Sequence, residues 1–286
     1  MPGTILASLT GLGSDRSVLD AAAAAARIDG AHIQCLHTRI DVVETAALVA
    51  PTSSNRRDLN DLMQKISSEQ EGRARHAREA FSEACKRHRL AVRDRPDGIE
   101  GVSIAWKESR SFLNDALHES RYHDFTVMSR DEELSRERII SVLMQSGRPL
   151  LLAPEKPVET LGRTVAIAWK EGEAAARALT AASTILSRAE SVVILSVSED
   201  PAADGDRSAA EHLANRLAWR GIKAEIRMSY LPKSSTSGTL LDMAYACDAD
   251  LLVMGAYGRS RVREFVFGGV TRDLLATSPL PLFMVS

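Results

Sequence analysis

The sequence predicts an α/β protein built from two tandem domains, each with a doubly wound parallel sheet. A strand-like run, an alanine-rich helical stretch and a second strand-like run occur in this order twice, starting with TILASL at residues 4–9 and TVAIAW at residues 164–169. Buried-strand segments such as VVIL and LLVM are continuously apolar, as in a parallel sheet covered on both faces. Strands that alternate with helices favour right-handed crossovers and an open, doubly wound sheet.

The repeat extends to the end of each half. HDFTVMSR at residues 123–130 matches ADLLVMGA at residues 249–256, and GRPLLLAP matches PLPLFMVS in the same order. A polar stretch with two prolines, PEKPVETLG, separates the two copies and has the composition of a linker. We therefore expect one domain at residues 1–155 and a second domain at residues 160–286.

Composition and charge exclude several classes of protein. The 286-residue chain has 44% hydrophobic and 26% charged residues, which is typical of a soluble globular protein. Its formal net charge of −2 provides no overall basic field, so we expect neither nucleic acid nor a membrane as a partner. Three scattered cysteines form no C-x-x-C pair and predict neither a disulfide framework nor a zinc site. Without a signal-peptide pattern or a long apolar run, the chain is expected in the reducing cytoplasm.

A cluster of glycines follows a strand of the second half, in GAYGRSRVREFVFGGVT at residues 255–271. Gly255 and Gly258 come at the end of the strand DLLVM, while Gly268 and Gly269 precede the helical stretch VTRDLLATS. Ligands of doubly wound sheets bind beyond the carboxyl ends of the strands, and backbone N–H groups at a helix N-terminus hold phosphate. The spacing alone leaves two interpretations open, a phosphate-binding loop and a flexible loop with a solvated charged face.

The pattern G-x2-G-x9-G followed by a small residue resembles the nucleotide-binding signature of the universal stress protein family. The end of the chain, VTRDLLATSPLPLFMVS, is similar to the last helix and strand of that family. The segment VAIAWKEGEAAARAL is similar to its first strand and helix. The resemblance covers nearly the whole chain and implies a tandem member with two adenine nucleotide alpha hydrolase-like domains. The family also pairs such last strands across a dimer, so the two halves are expected to pack about a pseudo-twofold axis.

The resemblance implies an adenine-nucleotide site, with ATP as the expected cofactor, in the second half. The family's glycines hold ribose and phosphates through backbone N–H groups, a hydroxyl contacts phosphate, and a backbone position at the end of the second strand reads adenine. The matching cofactor-binding residues in this sequence are Val197, Gly255, Gly258, Gly268, Gly269, Val270 and Thr271.

Two positions of this site differ from the family pattern. Gly269 stands where serine or threonine is usual, which removes a hydroxyl but keeps the N–H group. Lys170 stands where the ATP-binding members carry an aspartate, and a lysine cannot accept a hydrogen bond but can pair with phosphate. The sequence shows no nucleophile–base pair and no H-E-x-x-H motif, so we assign no catalytic or metal-ligating residue.

The first half lacks the glycine loop. The strand FTVMS is followed by RDEELSRERIISVLMQSGRP, which is shorter than its counterpart and rich in carboxylates. Carboxylates at that position repel phosphate, so we expect one nucleotide per chain. The early TGLGSD has Arg16 where a dinucleotide fingerprint needs glycine, and it predicts a turn with Ser14 or Asp15 as N-cap. The helical pattern at residues 59–91 is either solvated, in contact with a partner, or covering the neighbouring cleft.

Three function classes follow. The first is a stress-response protein that binds ATP and acts through regulation or partner binding. The second is a nucleotide-free scaffold of the same family. The third is a slow ATPase, which has the least support because no carboxylate or glutamine is evidently placed to orient water. Protein partners and further oligomerisation are left open.

Overall fold

The computed structural model describes residues 3–39, 56–96, 98, 100–110, 115–130, 133–198, 205–230, 235–256 and 269–286. The first half contains β1 (Thr4–Leu9), α1 (Asp15–Asp29), β2 (His32–Arg39), α2 (Arg56–His88), β3 (Ala91–Val92), β4 (Ser103–Arg110), α3 (Asp115–Ser120), β5 (Phe125–Met128), α4 (Glu133–Gln145) and β6 (Leu150–Leu152). The second half contains β7 (Thr164–Ala168), α5 (Glu173–Ala181), α6 (Ser183–Arg188), β8 (Ser191–Ser198), α7 (Gly205–Ala218), β9 (Ala224–Tyr230), α8 (Thr236–Tyr245), β10 (Leu251–Gly255), α9 (Gly269–Thr277) and β11 (Leu282–Val285).

The eleven strands of the described residues form one sheet with the order β3-β4-β2-β1-β5-β6-β11-β10-β7-β8-β9. The order β4-β2-β1-β5-β6 of the first half is repeated by β9-β8-β7-β10-β11 in the second half. Within each half neighbouring strands are parallel, and each half begins with its central strand. This architecture confirms the predicted α/β fold with two tandem, doubly wound units in a pseudo-twofold arrangement.

The two halves meet through their last strands. β6 pairs with β11 in antiparallel register, with Leu151 opposite Phe283. The Phe283 ring also contacts the Phe125 ring edge to face, with 5.7 Å between centroids. The predicted pairing of the apolar last strands is therefore confirmed, and it hides two sheet edges that would otherwise be open.

A second contact between the halves involves Arg130, which follows β5. Its half-buried guanidinium donates hydrogen bonds to the carbonyl oxygens of Leu275, at 3.2 Å, and Ser278, at 2.7 Å. Both carbonyls lie at the C-terminal end of α9, where a cation is favoured by the helix dipole. In the other direction, the Ser286 hydroxyl donates to the Leu143 carbonyl at 2.8 Å. Each half is thus anchored by one side chain on a helix of the other half.

An aspartate anchors the central strand of each half at its start. The Asp124 carboxylate accepts from the backbone N–H of Thr4 at 2.7 Å. The Asp250 carboxylate accepts from the N–H of Thr164 at 3.1 Å and from the two preceding N–H groups. These two aspartates occupy matching positions of the repeat, which extends the sequence similarity to a shared interaction.

The sheet separates two cores, as a doubly wound fold requires. Val165 and Ile167 of β7 face the core that contains the packed faces of α1, α2, α5, α6 and α7. Ala166 faces the opposite core, which contains α4, α8 and α9. No helix of the described residues combines the length and apolarity needed to cross a bilayer.

The long helix α2 is partly buried, which corrects the simplest interpretation of its charged pattern as a solvated helix. Ala77 and Ala84 are fully buried, and the Phe81 ring meets the Trp106 ring edge to face at 5.4 Å. The last turn of α2 is tied to α1, because Arg87 and His88 both contact the buried carboxylate of Asp20. The helix therefore belongs to the first-half core.

Candidate functional site

The carboxyl ends of β7 and β10 lie side by side in the second half and form the switch point of its sheet. From β7 the chain crosses to β8 on one side, whereas from β10 it crosses to β11 on the other side. A crevice opens where the crossovers diverge, and ligands of this fold class bind there. Gly255 ends β10, residues 170–172 follow β7, and Val197 lies near the end of β8. We call this edge of the sheet the carboxyl edge of the second half.

The predicted site residues divide into two groups. The structure describes Val197, Gly255, Gly269, Val270 and Thr271. Two further glycines of the motif, Gly258 and Gly268, and three arginines between them, Arg259, Arg261 and Arg263, lie outside the described residues. Their roles stay predictions from the sequence motif.

Gly255 has a packing role that the glycine motif did not indicate. A Cβ atom at this position would come within 2.4 Å of the backbone nitrogen of Ala175 and within 2.7 Å of the carbonyl carbon of Ala174. Both atoms belong to the first turn of α5. Because real Cβ atoms do not approach backbone this closely, any side chain at Gly255 would displace α5 from the end of β10. Its predicted contact with ribose or phosphate stays a prediction.

The loop after β7 presents backbone donors to solvent. Trp169 donates its N–H to the Leu195 carbonyl at 2.8 Å, which continues the ladder between β7 and β8. Lys170, Glu171 and Gly172 are exposed, and their N–H groups have no hydrogen-bond partner among the described residues. The carboxyl edge therefore holds a cationic side chain and unpaired donors next to the end of β10.

The matching loop of the first half is closed by its own carboxylate. Asp15 is only 1% exposed and accepts from the N–H of Thr10 at 2.7 Å and the N–H of Gly11 at 2.9 Å. The hydroxyl of Ser14 instead forms a 2.9 Å hydrogen bond with the Ser129 hydroxyl, beyond the end of β5. Ser14 is the N-cap residue of α1, as predicted, but its side chain forms no capping hydrogen bond with the first turn of the helix.

The helix α2 covers this loop. Gly11 has a positive φ of 78°, and a Cβ on it would lie 2.3 Å from the backbone oxygen of Arg73 in α2. Beneath it, His37 is buried and donates from Nδ1 to the Leu9 carbonyl at 3.1 Å, while its ring stacks on Trp106. Burial lowers the pKa of His37, so the imidazole is held neutral. Of the roles considered for this helix, the structure favours covering the neighbouring cleft.

The N-terminal ends of α8 and α9 lie together. Ser235 caps α8 by accepting from the N–H of Gly238 at 3.0 Å, and the Ser237 hydroxyl donates to the Asp273 carboxylate at 3.3 Å. In the first turn of α9, Gly269 is exposed whereas Thr271 is buried. The first residue of α9 is thus open to solvent, whereas Thr271 packs against the protein. The described residues contain no group of three or more histidine, cysteine, aspartate or glutamate side chains that could hold a metal ion.

Sequence reasoning missed the features that depend on pairs of distant loops. Gly255 contacts α5, and Gly11 contacts α2. In both cases the two segments are far apart in the sequence, and no sequence motif links them. The carboxylate of Asp15 did have a local signal, an acidic residue in the turn between a strand and a helix. That signal indicated a helix cap and did not reveal which N–H groups the carboxylate binds.

Comparison with protein-family models matches residues 162–286 to the Universal stress protein family. A universal stress protein from Archaeoglobus fulgidus DSM 4304 has a similar structure, with a TM-score of 0.65 and 15% identity, over 99% of this chain and 98% of that chain. A putative universal stress protein from Pseudomonas aeruginosa UCBPP-PA14 is similar over 99% of this chain and 93% of its own, with a TM-score of 0.60 and 15% identity. A protein of unknown function from Pseudomonas aeruginosa PAO1 has a TM-score of 0.60 and 16% identity, over 99% and 92% of the two chains. A search of curated protein sequences returns no match.

These comparisons support one conclusion about the fold of the whole chain and another about the family of its second half. The three solved structures show that the fold of the whole chain, with both halves, is shared with known proteins. The family match covers the second half, which contains the glycine motif. Residues 162–286 therefore match the universal stress protein family, and the resemblance stated from the sequence is confirmed for that part of the chain.

Proposed function

We propose that the protein binds one adenine nucleotide, ATP, at the carboxyl edge of the second half and acts in the stress response through regulation or partner binding. The observation that carries this proposal is the asymmetry between the two loops that follow the central strands. In the second half the N–H groups of residues 170–172 are unpaired among the described residues and exposed. In the first half the corresponding donors are occupied by the Asp15 carboxylate.

The chemistry of the second-half edge suits a polyphosphate. Unpaired N–H groups and the ammonium group of Lys170 favour an anion, and the N-terminus of α9 adds the positive end of a helix dipole. In this proposal the backbone of Val197 contacts adenine, while the glycine motif and the start of α9 contact ribose and phosphates. Thr271 is buried at the start of α9, and its predicted hydroxyl contact with phosphate is part of this proposal.

The first half is unsuited to the same ligand for an electrostatic reason. A phosphate that entered its loop would meet a buried carboxylate, and two like charges in a site of low dielectric constant repel strongly. It would also have to displace the carboxylate from two backbone hydrogen bonds, and α2 covers the loop. We therefore expect a stoichiometry of one nucleotide per chain.

Calorimetric titration of the full chain with ATP and ADP tests the proposal. We expect one site per chain, and Gly268→Asp should abolish binding because it adds a side chain and a negative charge to the phosphate loop. Ser135→Asp, at the corresponding position of the first half, should leave binding unchanged. Two sites per chain, or full binding by Gly268→Asp, would refute the proposed location.

A charge reversal tests the described part of the site. Lys170→Glu should raise the Kd for ATP about tenfold, because an ion pair to phosphate becomes a repulsion. Lys223→Glu is a matched control, since Lys223 is also exposed but precedes β9 at the opposite edge of the sheet. Equal effects of the two changes would show that Lys170 acts only through net charge.

The nucleotide-free scaffold is the second candidate function. It is favoured by Lys170, which cannot provide the hydrogen-bond acceptor that the family's ATP binders carry at this position. The absence of any calorimetric signal with wild-type protein, together with normal folding, would support this alternative. A slow ATPase would in addition show release of phosphate with time.

A further inference from the structure

Trp219 is the most exposed large apolar side chain of the described residues. It directly follows α7 and is 92% exposed, whereas isolated tryptophans are expected to pack in the protein. Trp219 therefore does not act as a packing residue. An indole in water leaves a large apolar surface unburied, and tryptophan is among the residues most enriched at the energetic centres of protein interfaces.

Trp219 lies on a shallow, open and basic surface formed by one face of α7 and the turn that follows it. The groove has a volume of about 550 Å³ and is lined by His212, Asn215, Arg216, Trp219 and Arg220. These residues are three or four positions apart along the chain, the spacing of neighbours on one helical face. We call this surface the Trp219 groove.

The two arginines of the Trp219 groove have uncompensated charges. Neither Arg216 nor Arg220 forms an ion pair or side-chain hydrogen bond with any described residue. No residue that lines the groove is acidic. The groove therefore offers two guanidinium groups beside an exposed aromatic surface.

We propose that the Trp219 groove is a docking site for an acidic polypeptide segment that carries an apolar side chain between its carboxylates. Guanidinium groups bind carboxylates in a planar, bidentate geometry, and the contact becomes stronger as the partner excludes water. The apolar side chain of the segment packs on the indole of Trp219. The charge of the groove selects the acidic partner, and the indole supplies the apolar contact.

Other occupants fit this surface less well. A small molecule would stay largely in water, because the groove leaves Trp219 almost fully exposed. A single nucleic-acid strand is bound by a basic track with successive aromatic platforms, and Trp219 is the one tryptophan, tyrosine or phenylalanine among the residues that line this groove. In a twofold contact between copies, centred on the groove, Arg216 and Arg220 would face the same two cations of the second copy.

The Trp219 groove is separate from the proposed nucleotide site. Trp219 lies between the end of α7 and the start of β9, and hence at the edge where the second-half strands begin. The nucleotide is proposed at the opposite edge, where these strands end. The docking proposal therefore does not depend on nucleotide binding.

Fluorescence anisotropy of a labelled peptide tests the docking proposal on the full chain. The probe is a short fluorescein-labelled peptide of repeating Glu-Glu-Leu units, and the comparison peptide has lysine in place of glutamate. We expect saturable binding of the acidic peptide that weakens with added salt. Trp219→Ala, and Arg216→Gln combined with Arg220→Gln, should each raise the Kd about tenfold or more. Tyr122→Ala is the control, since Tyr122 is 69% exposed in the other half.

Each other outcome overturns the proposal. Equal binding of both peptides, or unchanged binding by the Trp219 and arginine variants, would show that the groove does not select an acidic segment. Tighter binding of oligothymidylate than of the acidic peptide would assign the groove to nucleic acid. Self-association that disappears in Trp219→Ala, measured by sedimentation, would assign the groove to a second copy of the chain.

Discussion

Replacement of Asp250 by alanine tests how the second half is anchored. The Asp250 carboxylate accepts three backbone hydrogen bonds, from the N–H groups of Gly162 at 3.0 Å, Arg163 at 3.1 Å and Thr164 at 3.1 Å. These donors lead into β7, the central strand of the second-half sheet. Asp250→Ala removes the acceptors of all three hydrogen bonds at once and frees the start of that strand.

The expected cost follows from the number and exposure of these bonds. A hydrogen bond to a charged group contributes about 1.5–3 kcal/mol when it is buried, and much less when water can replace the lost partner. Arg163 is exposed and Thr164 is half-buried, so water compensates for part of the loss. We therefore expect Asp250→Ala to lower the free energy of unfolding by about 2–3 kcal/mol. Asp124→Ala, which removes one bond from an exposed residue, should cost about 1 kcal/mol.

Urea denaturation followed by circular dichroism measures these differences. Asp242→Ala is the matched control, because Asp242 is exposed on α8 and its side chain has no partner among the described residues, so its effect should stay within about 0.5 kcal/mol. An Asp250→Ala variant as stable as Asp242→Ala would refute the reasoning. An Asp124→Ala variant more damaging than Asp250→Ala would refute the comparison between halves.

Three further predictions concern the contact between halves, the sheet edge and pH. Arg130→Met removes two hydrogen bonds to the end of α9, so amide exchange at residues 271–278 should accelerate and stability should fall by about 1–2 kcal/mol; unchanged exchange would contradict this. Gly255→Val should displace α5, cost about 3 kcal/mol and abolish ATP binding, whereas wild-type stability would contradict the close contact. Burial lowers the pKa of His37 in the folded protein, so the unfolded chain, with an imidazole pKa of about 6.5, binds the proton first. The contribution of neutral His37 to stability is complete above that pH and is lost as the pH falls. His37→Asn should therefore make the melting temperature depend less on pH, whereas the same change at exposed His118 should leave that dependence as it is.

The internal repeat made the architecture predictable. Continuous apolar runs and their order along the chain indicated parallel strands with crossovers, and the sheet has that arrangement in both halves. This strand order depends on local composition and periodicity, which a sequence displays directly. The contact of β6 with β11 was expected from the family resemblance and the apolar character of both strands, and the structure adds its antiparallel register.

The glycine motif, likewise, was enough to indicate the family and the edge of the sheet where a ligand would bind. It could not show that the Asp15 carboxylate occupies the first-half loop, or that Gly255 lies against the first turn of α5. Nor could it show that Trp219, a residue type usually packed inside, is exposed beside two arginines that have no ion-pair partner within the part of the chain that the structure describes. These properties arise when segments far apart in the chain come within a few ångströms of one another. Composition and spacing specify which elements form, whereas close approach, burial and the choice of hydrogen-bond partner depend on how those elements pack together.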